Sequence, residues 1–429
     1  MSRECRGRFG FSAFPAGNYN GSFNNVGSNA NFWTASEYNS SNAYNRNLNT
    51  GASMSSNNNN KNNQYSVRLV KDSAGSALSA PELYPLLYRS YRQARKNKRN
   101  TVSQLRFEMD LERNLMELAV ELADRSYRPR PSVCFINERP VKREVVAADF
   151  RDRIVHHLLC SWLFPIFERL FIYDSYSCRK GKGTLFGVNR ARGFLRAASG
   201  DFRQDCWVLR LDIKGFFMNI DKDVLFGLVM DGIRREAYSG VSDVGLCDYL
   251  VRLIVYLNPL DDAFFKSPPS AWDGLPADKS LKNTDGTRGL PIGNLTSQLF
   301  GNVYLNPLDQ YVKRVLKIRC YGRYVDDMVL VHSDKRVLLD AVGKIRAFLE
   351  ERLRLILHPK KISLQPASYG FNFLGVYILP YRVYPGRRLL RNCSAALLRH
   401  PDSFPEHRKR LVSYRGMFTH LNGRPKWLE

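Results

Sequence analysis

Two adjacent aspartates, Asp326 and Asp327, lie between two short apolar runs and constrain the fold more than any other feature of this chain. The flanking side chains predict the two strands of a β-hairpin over residues 321–332, with the carboxylates at its turn. Neighbouring carboxylates held in a tight turn repel each other, and a bound divalent cation relieves that repulsion. An isolated Asp-Asp pair is more often a solvated turn, so a metal site needs support from elsewhere in the chain.

A third carboxylate, Asp212, lies near the end of a predicted strand over residues 207–213. If this strand lies beside the hairpin, Asp212 converges with Asp326 and Asp327 on one spot. Two-metal phosphoryl transfer uses such an arrangement. One ion lowers the pKa of an attacking 3′-hydroxyl, and the other steadies a leaving pyrophosphate. The sequence therefore predicts a phosphoryl-transfer site.

The charge balance favours a polyanionic partner. The 429 residues carry 65 Lys and Arg against 40 Asp and Glu, a formal net charge of +25, which points first to nucleic acid. The eight cysteines are scattered without a C-x-x-C pair, which argues against a zinc ribbon or a disulfide framework. No apolar run reaches about 18 residues, and no apolar stretch follows the basic start, so we predict no membrane contact and a cytoplasmic location.

The carboxylate motifs resemble those of reverse transcriptases. Residues 324–327 (YVDD) resemble the catalytic box of that family, and residues 211–217 (LDIKGFF) resemble its first carboxylate box. Other segments resemble further boxes of bacterial, intron-type enzymes in the family's order: Arg143 with residues 151–155, then residues 177–183, 289–293, 355–361 and 373–375. Any one box is a weak signal, but seven in order over about residues 80–420 are specific.

The resemblance implies a right-hand polymerase fold of the α+β class, with an antiparallel palm sheet backed by helices. It also implies an enzyme, an RNA-directed DNA polymerase that transfers nucleotides. The predicted organisation, in chain order, is an Asn-rich leader over 1–75, fingers over 76–205, a palm over 206–380 with a fingers insertion around 257–300, and a short basic thumb over 381–429.

The resemblance assigns roles to single residues. Asp212, Asp326 and Asp327 would be catalytic and would hold two Mg²⁺ ions, for which Mn²⁺ can substitute. The backbone carbonyl of Ile213 would assist in binding metal. Phe217 would clash with a ribose 2′-hydroxyl and so select deoxynucleotides, although a plain core role for this ring is the alternative.

Cationic and polar residues complete the predicted site. Those expected to bind the incoming nucleotide, together with Phe217, are Arg143, Arg179, Lys182, Ile292, Gln298 and Lys360. Those expected to contact nucleic acid are Lys361, Arg387, Arg388, Arg408, Lys409 and Arg410. A planar guanidinium suits the oxygens of a triphosphate, which favours Arg143. A plain surface role for Lys360 and Lys361 stays open.

Residues 292–298 (IGNLTSQ) narrow the resemblance to the reverse transcriptases of diversity-generating retroelements. Most other relatives carry Gln where this chain has Ile292, and Pro where it has Gln298. Because an aliphatic side chain cannot donate a hydrogen bond, we expect weaker checking of the base pair at Ile292. The resemblance implies error-prone copying opposite template adenine. The alternative is that Ile292 merely packs and fidelity is set elsewhere.

The first 75 residues differ in composition from the rest. Seventeen asparagines fall between Asn18 and Asn63, and such a polar stretch is usually poorly ordered. The segment from residues 32–38 to residues 66–70 resembles the C-terminal part of variable proteins with a C-type-lectin fold, which are targets of this retroelement class. Since AAC and AAT encode Asn, we predict that residues 1–72 are translated template repeat. A disordered RNA-binding tail is the alternative, which the few Lys and Arg disfavour.

The resemblance also implies partners. These are template RNA, a primer or cDNA strand, dNTPs and a small basic accessory protein, in a bacterial or phage-encoded, nucleoid-associated enzyme that performs mutagenic retrohoming. Retron, phage-defence and group II intron-type reverse transcriptases are the alternatives within the family. A non-catalytic RNA-binding protein is the alternative of another class, since it would need the same basic surface.

Overall fold

A computed structural model of the chain describes residues 5–6, 12–13, 18–19, 22–24, 28, 30–48, 54–63, 65, 77–96, 101–138, 141–398 and 404–422. The chain divides into two compact units, residues 1–73 and residues 74–429. Within the described ranges, no helix is both long enough and apolar enough to cross a membrane.

The first unit consists of β-strands: β1 (Cys5–Arg6), β2 (Ser12–Ala13), β3 (Asn18–Tyr19), β4 (Phe23–Asn24), β5 (Ala30–Glu37), β6 (Asn42–Leu48) and β7 (Met54–Asn60). Strands β5, β6 and β7 form an antiparallel sheet in that order. The composition favours poor order here, whereas the structure gives this stretch a sheet.

Asparagine amides and aromatic rings supply the contacts of that sheet. The Asn47 amide donates to the side-chain oxygen of Asn31 at 2.7 Å, and the two residues lie on neighbouring strands. The rings of Trp33 and Tyr65 pack 4.5 Å apart, centroid to centroid. A cross-strand pair such as that of Asn31 and Asn47 stabilises a sheet even where the composition is polar. Residues 66–70, which share the lectin resemblance, lie outside the described residues.

The second unit mixes helices and strands. Its elements before the predicted catalytic hairpin are α1 (Ala80–Ala94), α2 (Val102–Glu108), α3 (Leu111–Ala123), β8 (Val133–Asn137), β9 (Arg143–Ala147), α4 (Phe150–Leu170), α5 (Thr184–Ala198), β10 (Trp207–Leu211), α6 (Phe216–Asn219), α7 (Lys222–Arg235), α8 (Val244–Tyr256), β11 (Phe264–Phe265) and α9 (Leu295–Gln310). The elements that follow are β12 (Tyr321–Tyr324), β13 (Asp327–His332), α10 (Lys335–Leu353), β14 (Ser363–Pro366), β15 (Phe371–Phe373), β16 (Val376–Ile378), β17 (Val383–Pro385), α11 (Arg387–Leu398) and α12 (Phe404–Phe418).

A four-stranded antiparallel sheet in the order β12-β13-β10-β14 lies at the centre of this unit. The predicted strand over 207–213 and the predicted hairpin over 321–332 are therefore neighbours, as the convergence of their carboxylates requires. Apolar residues alternate between the two faces of β10, as expected of a strand that is covered on both sides. Leu209 and Leu211 join one hydrophobic core, and Val208 joins another.

Helices form the larger core on one side of the sheet. Helix α4 packs against α1, α7 and α9, and its buried positions run nearly all the way round it. Short acidic residues begin the helices that flank the sheet. The Asp221 side chain accepts the backbone N–H of Val224 at 3.0 Å at the start of α7, and Asp334 accepts that of Arg336 at 2.8 Å at the start of α10. Such caps satisfy N–H groups that the helix leaves unpaired.

Residues 257–288, whose composition predicts a loop or insertion, are attached to strand β9 by one buried carboxylate. Glu144 accepts hydrogen bonds from the Trp272 indole at 2.7 Å, the Ser280 hydroxyl at 2.6 Å and the Leu281 N–H at 2.8 Å. Strand β11 pairs in parallel with β8, which itself pairs with β9. Two residues of the insertion thus extend the β8–β9 sheet, and Glu144 ties a later part of it to the same sheet.

Candidate active site

The register of the central sheet brings the three predicted carboxylates together. Leu211 of β10 lies opposite Met328 of β13, so the next residue on each strand places Asp212 beside Asp327. Residues paired across antiparallel strands are about 4.5–5.5 Å apart between Cα atoms. Asp326 occupies the turn next to Asp327, so all three carboxylates lie at one end of the sheet.

The turn between β12 and β13 has an unusual backbone. Tyr324 pairs with Asp327, which leaves Val325 and Asp326 as the two turn residues, and Val325 has a φ of +56°. A β-branched residue rarely adopts a positive φ, because its side chain crowds the backbone. Strain of this kind persists only where the surroundings hold it in place. The turn therefore needs support from beneath.

A buried ion pair supplies that support. The Arg323 guanidinium, with no exposed side-chain area, donates to the Asp309 carboxylate through Nε at 2.8 Å and through Nη2 at 2.6 Å. Its Nη1 donates to the carbonyl oxygen of Val325 at 2.7 Å. The Tyr321 hydroxyl also donates to Asp309, at 2.6 Å. Arg323 thus links the strained turn directly to helix α9.

Burial and mutual repulsion raise the pKa values of the hairpin carboxylates. The pKa of Asp326 is raised to about 7, first by burial and then by the negative charges of Asp212 and Asp327. The pKa of Asp327 is raised by burial and by Asp212, while Arg210 and Lys361 act in the opposite direction. A site that holds several carboxylates against their repulsion is short of positive charge, which a divalent cation would supply.

Lys361 already supplies one positive charge. Its Nζ lies 2.9 Å from each carboxylate oxygen of Asp212. The segment before Lys361 follows the end of β10, because the His358 N–H donates to the Asp212 carbonyl oxygen at 2.8 Å and the Lys214 N–H donates to the Ile356 carbonyl oxygen at 2.9 Å. Ile213 is buried there.

Over the described residues, no three His, Cys, Asp or Glu side chains are arranged to hold a metal ion. The donor chemistry of Asp212, Asp326 and Asp327 nevertheless fits Mg²⁺, which prefers carboxylate oxygens. Burial and, after it, the charges of Asp212 and Asp327 raise the pKa of Asp326, and a bound cation would offset both effects. Asp212 would have to exchange its contact with Lys361 for the ion.

The predicted residues Phe217 and Ile292 lie in one small apolar cluster. This cluster also contains Val146 of β9 and Met218. The Ile292 carbonyl accepts the Val146 N–H at 2.9 Å, and a Cβ on Gly293, at a φ of +138°, would lie only 3.0 Å from the Val146 carbonyl oxygen. The two predicted determinants of nucleotide choice are therefore near each other and anchored to β9.

The remaining predicted nucleotide contacts differ in exposure. Arg143 is exposed at the start of β9, opposite Asn137, and Gln298 is exposed near the start of α9. Lys360 is exposed next to Lys361. These side chains are accessible to a ligand, and their roles stay predictions.

Arg179 and Lys182 are engaged by the protein itself. The Arg179 guanidinium donates twice to Glu168 and also to the carbonyls of Ile172 and Ser175, at 2.6 and 2.9 Å. The Lys182 ammonium contacts the Tyr173 carbonyl and lies 4.2 Å from the centroid of that ring. Burial, followed by the charge of Arg179, lowers the pKa of Lys182 to about 8. A nucleotide would have to displace these contacts.

The C-terminal basic residues begin close to the site. Arg387 and Arg388 are exposed at the start of α11, and the charge of Arg388 acts to lower the pKa of Asp327. Lys409 is exposed on α12. The side chains of Arg408 and Arg410 lie outside the described part of the structure.

Sequence reasoning missed the residues that support the site from below. Arg323 directly precedes the YVDD segment, but a charged residue in a short strand usually indicates a solvent-facing position. Asp309 lies 14 residues upstream of Arg323 on another element, so no local spacing relates the two. The sequence alone therefore does not indicate that Arg323 and Asp309 are buried together; only the tertiary structure shows it.

Comparison with known proteins identifies part of the chain. Residues 257–378 match the sequence model of the family described as reverse transcriptase (RNA-dependent DNA polymerase). This segment contains the hairpin carboxylates and Ile292, whereas Asp212 precedes it. The chain is 23% identical over 295 residues to the protein YkfC of Escherichia coli K12, with 61% of this chain and 70% of YkfC covered.

Two further similarities cover smaller parts of the proteins concerned. The chain is 24% identical over 174 residues to a 91 kDa protein in the cob intron of Schizosaccharomyces pombe, covering 41% of this chain and 17% of that protein. Among solved structures, an apo telomerase of Candida tropicalis is similar, with a TM-score of 0.43, 12% identity, and coverage of 59% of this chain and 55% of the telomerase chain.

The chain spans less than two thirds of both the intron protein and the telomerase. The family match nevertheless includes the hairpin with its two carboxylates and the whole region from α9 to β16. Residues 257–378 therefore match a reverse transcriptase domain, which confirms the prediction of an enzyme of the RNA-directed DNA polymerase class.

Proposed function

We propose that this chain copies an RNA template into DNA with a right-hand polymerase fold, in which the central sheet is the palm. The observation that carries the proposal is the convergence of Asp212, Asp326 and Asp327 at one end of that sheet. The 3′-hydroxyl oxygen of a primer would attack the α-phosphorus of a dNTP, and the bond to pyrophosphate would break. Bound divalent ions would stabilise the charges on the attacking and leaving oxygens.

The residues of the chain would contribute in distinct ways. The three carboxylates would hold Mg²⁺, for which Mn²⁺ can substitute, and Arg143 would meet the incoming triphosphate. The half-buried ring of Phe217 packs against α9, since a Cβ on Gly301 would lie 3.3 Å from it. A ring fixed in this way supports a role in excluding a 2′-hydroxyl.

The experiment is primer extension on an RNA template with purified full-length chain. We expect incorporation of dNTPs in the presence of Mg²⁺, none in EDTA, and weak incorporation of ribonucleotides. A Phe217→Val variant should accept ribonucleotides more readily, because the smaller side chain leaves room for the 2′-hydroxyl. A chain that binds RNA but adds no nucleotide under any of these conditions would favour the non-catalytic alternative.

We further propose that the copying is mutagenic and serves a diversity-generating retroelement. The support is Ile292, whose aliphatic side chain packs with Val146 and Met218 in the cluster that includes Phe217. This position offers no side-chain hydrogen bond to a base pair, so discrimination against mismatches loses one polar contact. The Asn-rich first unit would then correspond to translated template repeat, and a small basic accessory protein would be a partner.

Two observations test this finer proposal. Ile292→Gln should lower misincorporation opposite template adenine, with an Ile292→Val variant as the matched apolar control. An unchanged error spectrum would argue against the role of Ile292. A near-copy of codons 17–70 in a neighbouring gene, differing mainly at adenines, should also exist, and its absence would contradict the retroelement assignment.

An intron-type reverse transcriptase is the second candidate function. The similarity to a protein in the cob intron favours it. The two functions differ in their templates, because an intron-type enzyme copies its host intron RNA, whereas a retroelement enzyme copies a template repeat. Sequencing the cDNA made in cells that carry the locus separates them.

A further inference from the structure

A groove whose lining residues precede the catalytic carboxylates by about a hundred residues or more in the sequence is lined by cations and tyrosines. It has a volume of about 660 Å³, and its lining includes Tyr88, Arg89, Arg92, Arg95 and Lys96 of the α1 region, with Leu111 at the start of α3. The phosphoryl-transfer chemistry described above uses none of these side chains.

The cations of the groove fall into two groups. Arg95 is held by Glu108, with Nε 2.5 Å from the carboxylate, so its charge is already neutralised. Arg89, Arg92 and Lys96 are exposed and pair with no acidic side chain among the described residues. Arg89 and Arg92 stand three residues apart on α1, a spacing at which like charges on a helix repel each other, and Lys96 follows just past the end of the helix. An anion bound in the groove would relieve this repulsion.

The aromatic side chain decides which anion fits. Tyr88 is 42% exposed, and its ring lies 5.9 Å from that of Tyr91, which is buried and fixed by a hydrogen bond to Glu108. Tyr88 and Arg92 stand four residues apart on one face of α1, and Lys96, just past the end of the helix, lines the same groove. A role in stabilising the helix would explain the cations, because the negative end of the helix dipole favours positive charge near the end of α1. It would not explain why the ring of Tyr88 is exposed beside them.

We propose that this groove binds single-stranded RNA outside the catalytic site, with phosphates on Arg89, Arg92 and Lys96 and a base stacked on Tyr88. Positive charges that follow a backbone, combined with an aromatic face for the bases, are the usual means of binding a single strand. The choice of RNA rests on the proposed function, in which the template is RNA, while the groove itself is a separate binding site.

The test is the salt dependence of RNA binding, measured by fluorescence anisotropy in EDTA with full-length chain and a 12-nucleotide unstructured RNA. Each phosphate contact contributes about 0.7 to the slope of log affinity against log salt, so an Arg89→Gln/Arg92→Gln/Lys96→Gln variant should lower the slope by about 2. Its affinity at moderate salt should fall at least tenfold.

A control variant separates the groove from general charge. Three exposed basic residues near the end of α9 and on α10, Arg314, Arg346 and Arg352, form no ion pair with described residues. Changing all three to Gln removes the same net charge and should leave the slope close to that of the wild type. Equal loss in the two triple variants would overturn the proposal.

Substitutions at Tyr88 test the stacking. Tyr88→Ala should weaken binding at least fivefold, whereas Tyr88→Phe, which keeps the aromatic face, should bind as the wild type does. Equal binding by the Ala and Phe variants would refute the base contact. Poly-glutamate that competes as well as RNA at equal charge would refute the choice of nucleic acid. Failure of primer extension by the wild type would refute the proposed function but leave these binding comparisons valid.

Discussion

The buried ion pair beneath the YVDD turn gives a sharp stability prediction. We consider Asp309→Asn, which keeps the shape of the side chain and removes its charge. Arg323 has no exposed side-chain area and would then be left as an uncompensated charge. Removing one partner of a buried ion pair costs about 3–5 kcal/mol, so we expect the free energy of unfolding to fall by that amount.

The chain offers a matched control for this variant. Arg113 and Glu117 form an ion pair on α3 at 2.9 Å, with side-chain exposures of 74% and 55%. Because water already solvates both groups, Glu117→Gln should cost less than about 1 kcal/mol. Urea unfolding followed by circular dichroism gives both values by linear extrapolation. If Asp309→Asn costs no more than Glu117→Gln, the account of the turn is wrong.

A second variant separates the effect of the ion pair on the stability of the fold from its effect on the conformation of the turn. Replacing Tyr321, Asp309 and Arg323 together by Phe, Leu and Met removes both charges of the ion pair and the tyrosine hydroxyl that donates to it. Apolar replacement of a buried ion pair is often nearly neutral, so most of the lost stability should return. Activity should stay low, because Val325 loses the hydrogen bond that Arg323 donates to its carbonyl. Recovery of full activity would contradict a positioning role for Arg323.

Two further predictions concern the carboxylates. In the folded chain Asp326 keeps its proton up to about pH 7, whereas in the unfolded chain it loses the proton near its ordinary pKa of 3.8. In EDTA this residue should therefore lower the free energy of unfolding progressively as the pH rises from about 4 to 7. Asp326→Asn should therefore be more stable relative to wild type at pH 8 than at pH 5 in urea unfolding, and an equal difference at both pH values would refute the raised pKa. Lys361→Met should tighten the binding of Mn²⁺ to the metal-free chain about fivefold, measured by paramagnetic resonance titration. The reason is that the Lys361 ammonium pairs with Asp212 and so competes with the metal ion for that carboxylate. Lys360→Met, which removes the same charge from a neighbour that does not contact Asp212, should change it little, and equal effects would contradict the competition.

The central strands could be predicted because their pattern is local. Leu209 and Leu211 alternate with residues of the opposite face, and the apolar runs on either side of Asp326 mark the hairpin. Once both strands are recognised, the convergence of Asp212 with the hairpin follows from antiparallel pairing. These elements need only side-chain periodicity and a turn, which the sequence displays directly.

Other features depend on contacts between distant parts of the chain. Arg179 fits the pattern of a nucleotide ligand, but its guanidinium binds Glu168 and two carbonyls of its own loop. The stretch around Asn31 and Asn47 has the composition of a poorly ordered segment, yet its amides pair across strands. The partners in these contacts are fixed by the fold, so the residue type alone does not reveal them.

The rate of nucleotide addition by variants of Asp212, Asp326 and Asp327 tests the central claim most directly. Each changed singly to Asn should add dNMP to a primer on an RNA template at least about a hundredfold more slowly than the wild type, since each substitution would remove a carboxylate that holds the divalent ions at the reacting phosphate. Asp340→Asn, on the exposed side of α10, is the control and should retain the wild-type rate. Rates within tenfold of wild type for any of the three would show that the carboxylates do not form one catalytic site.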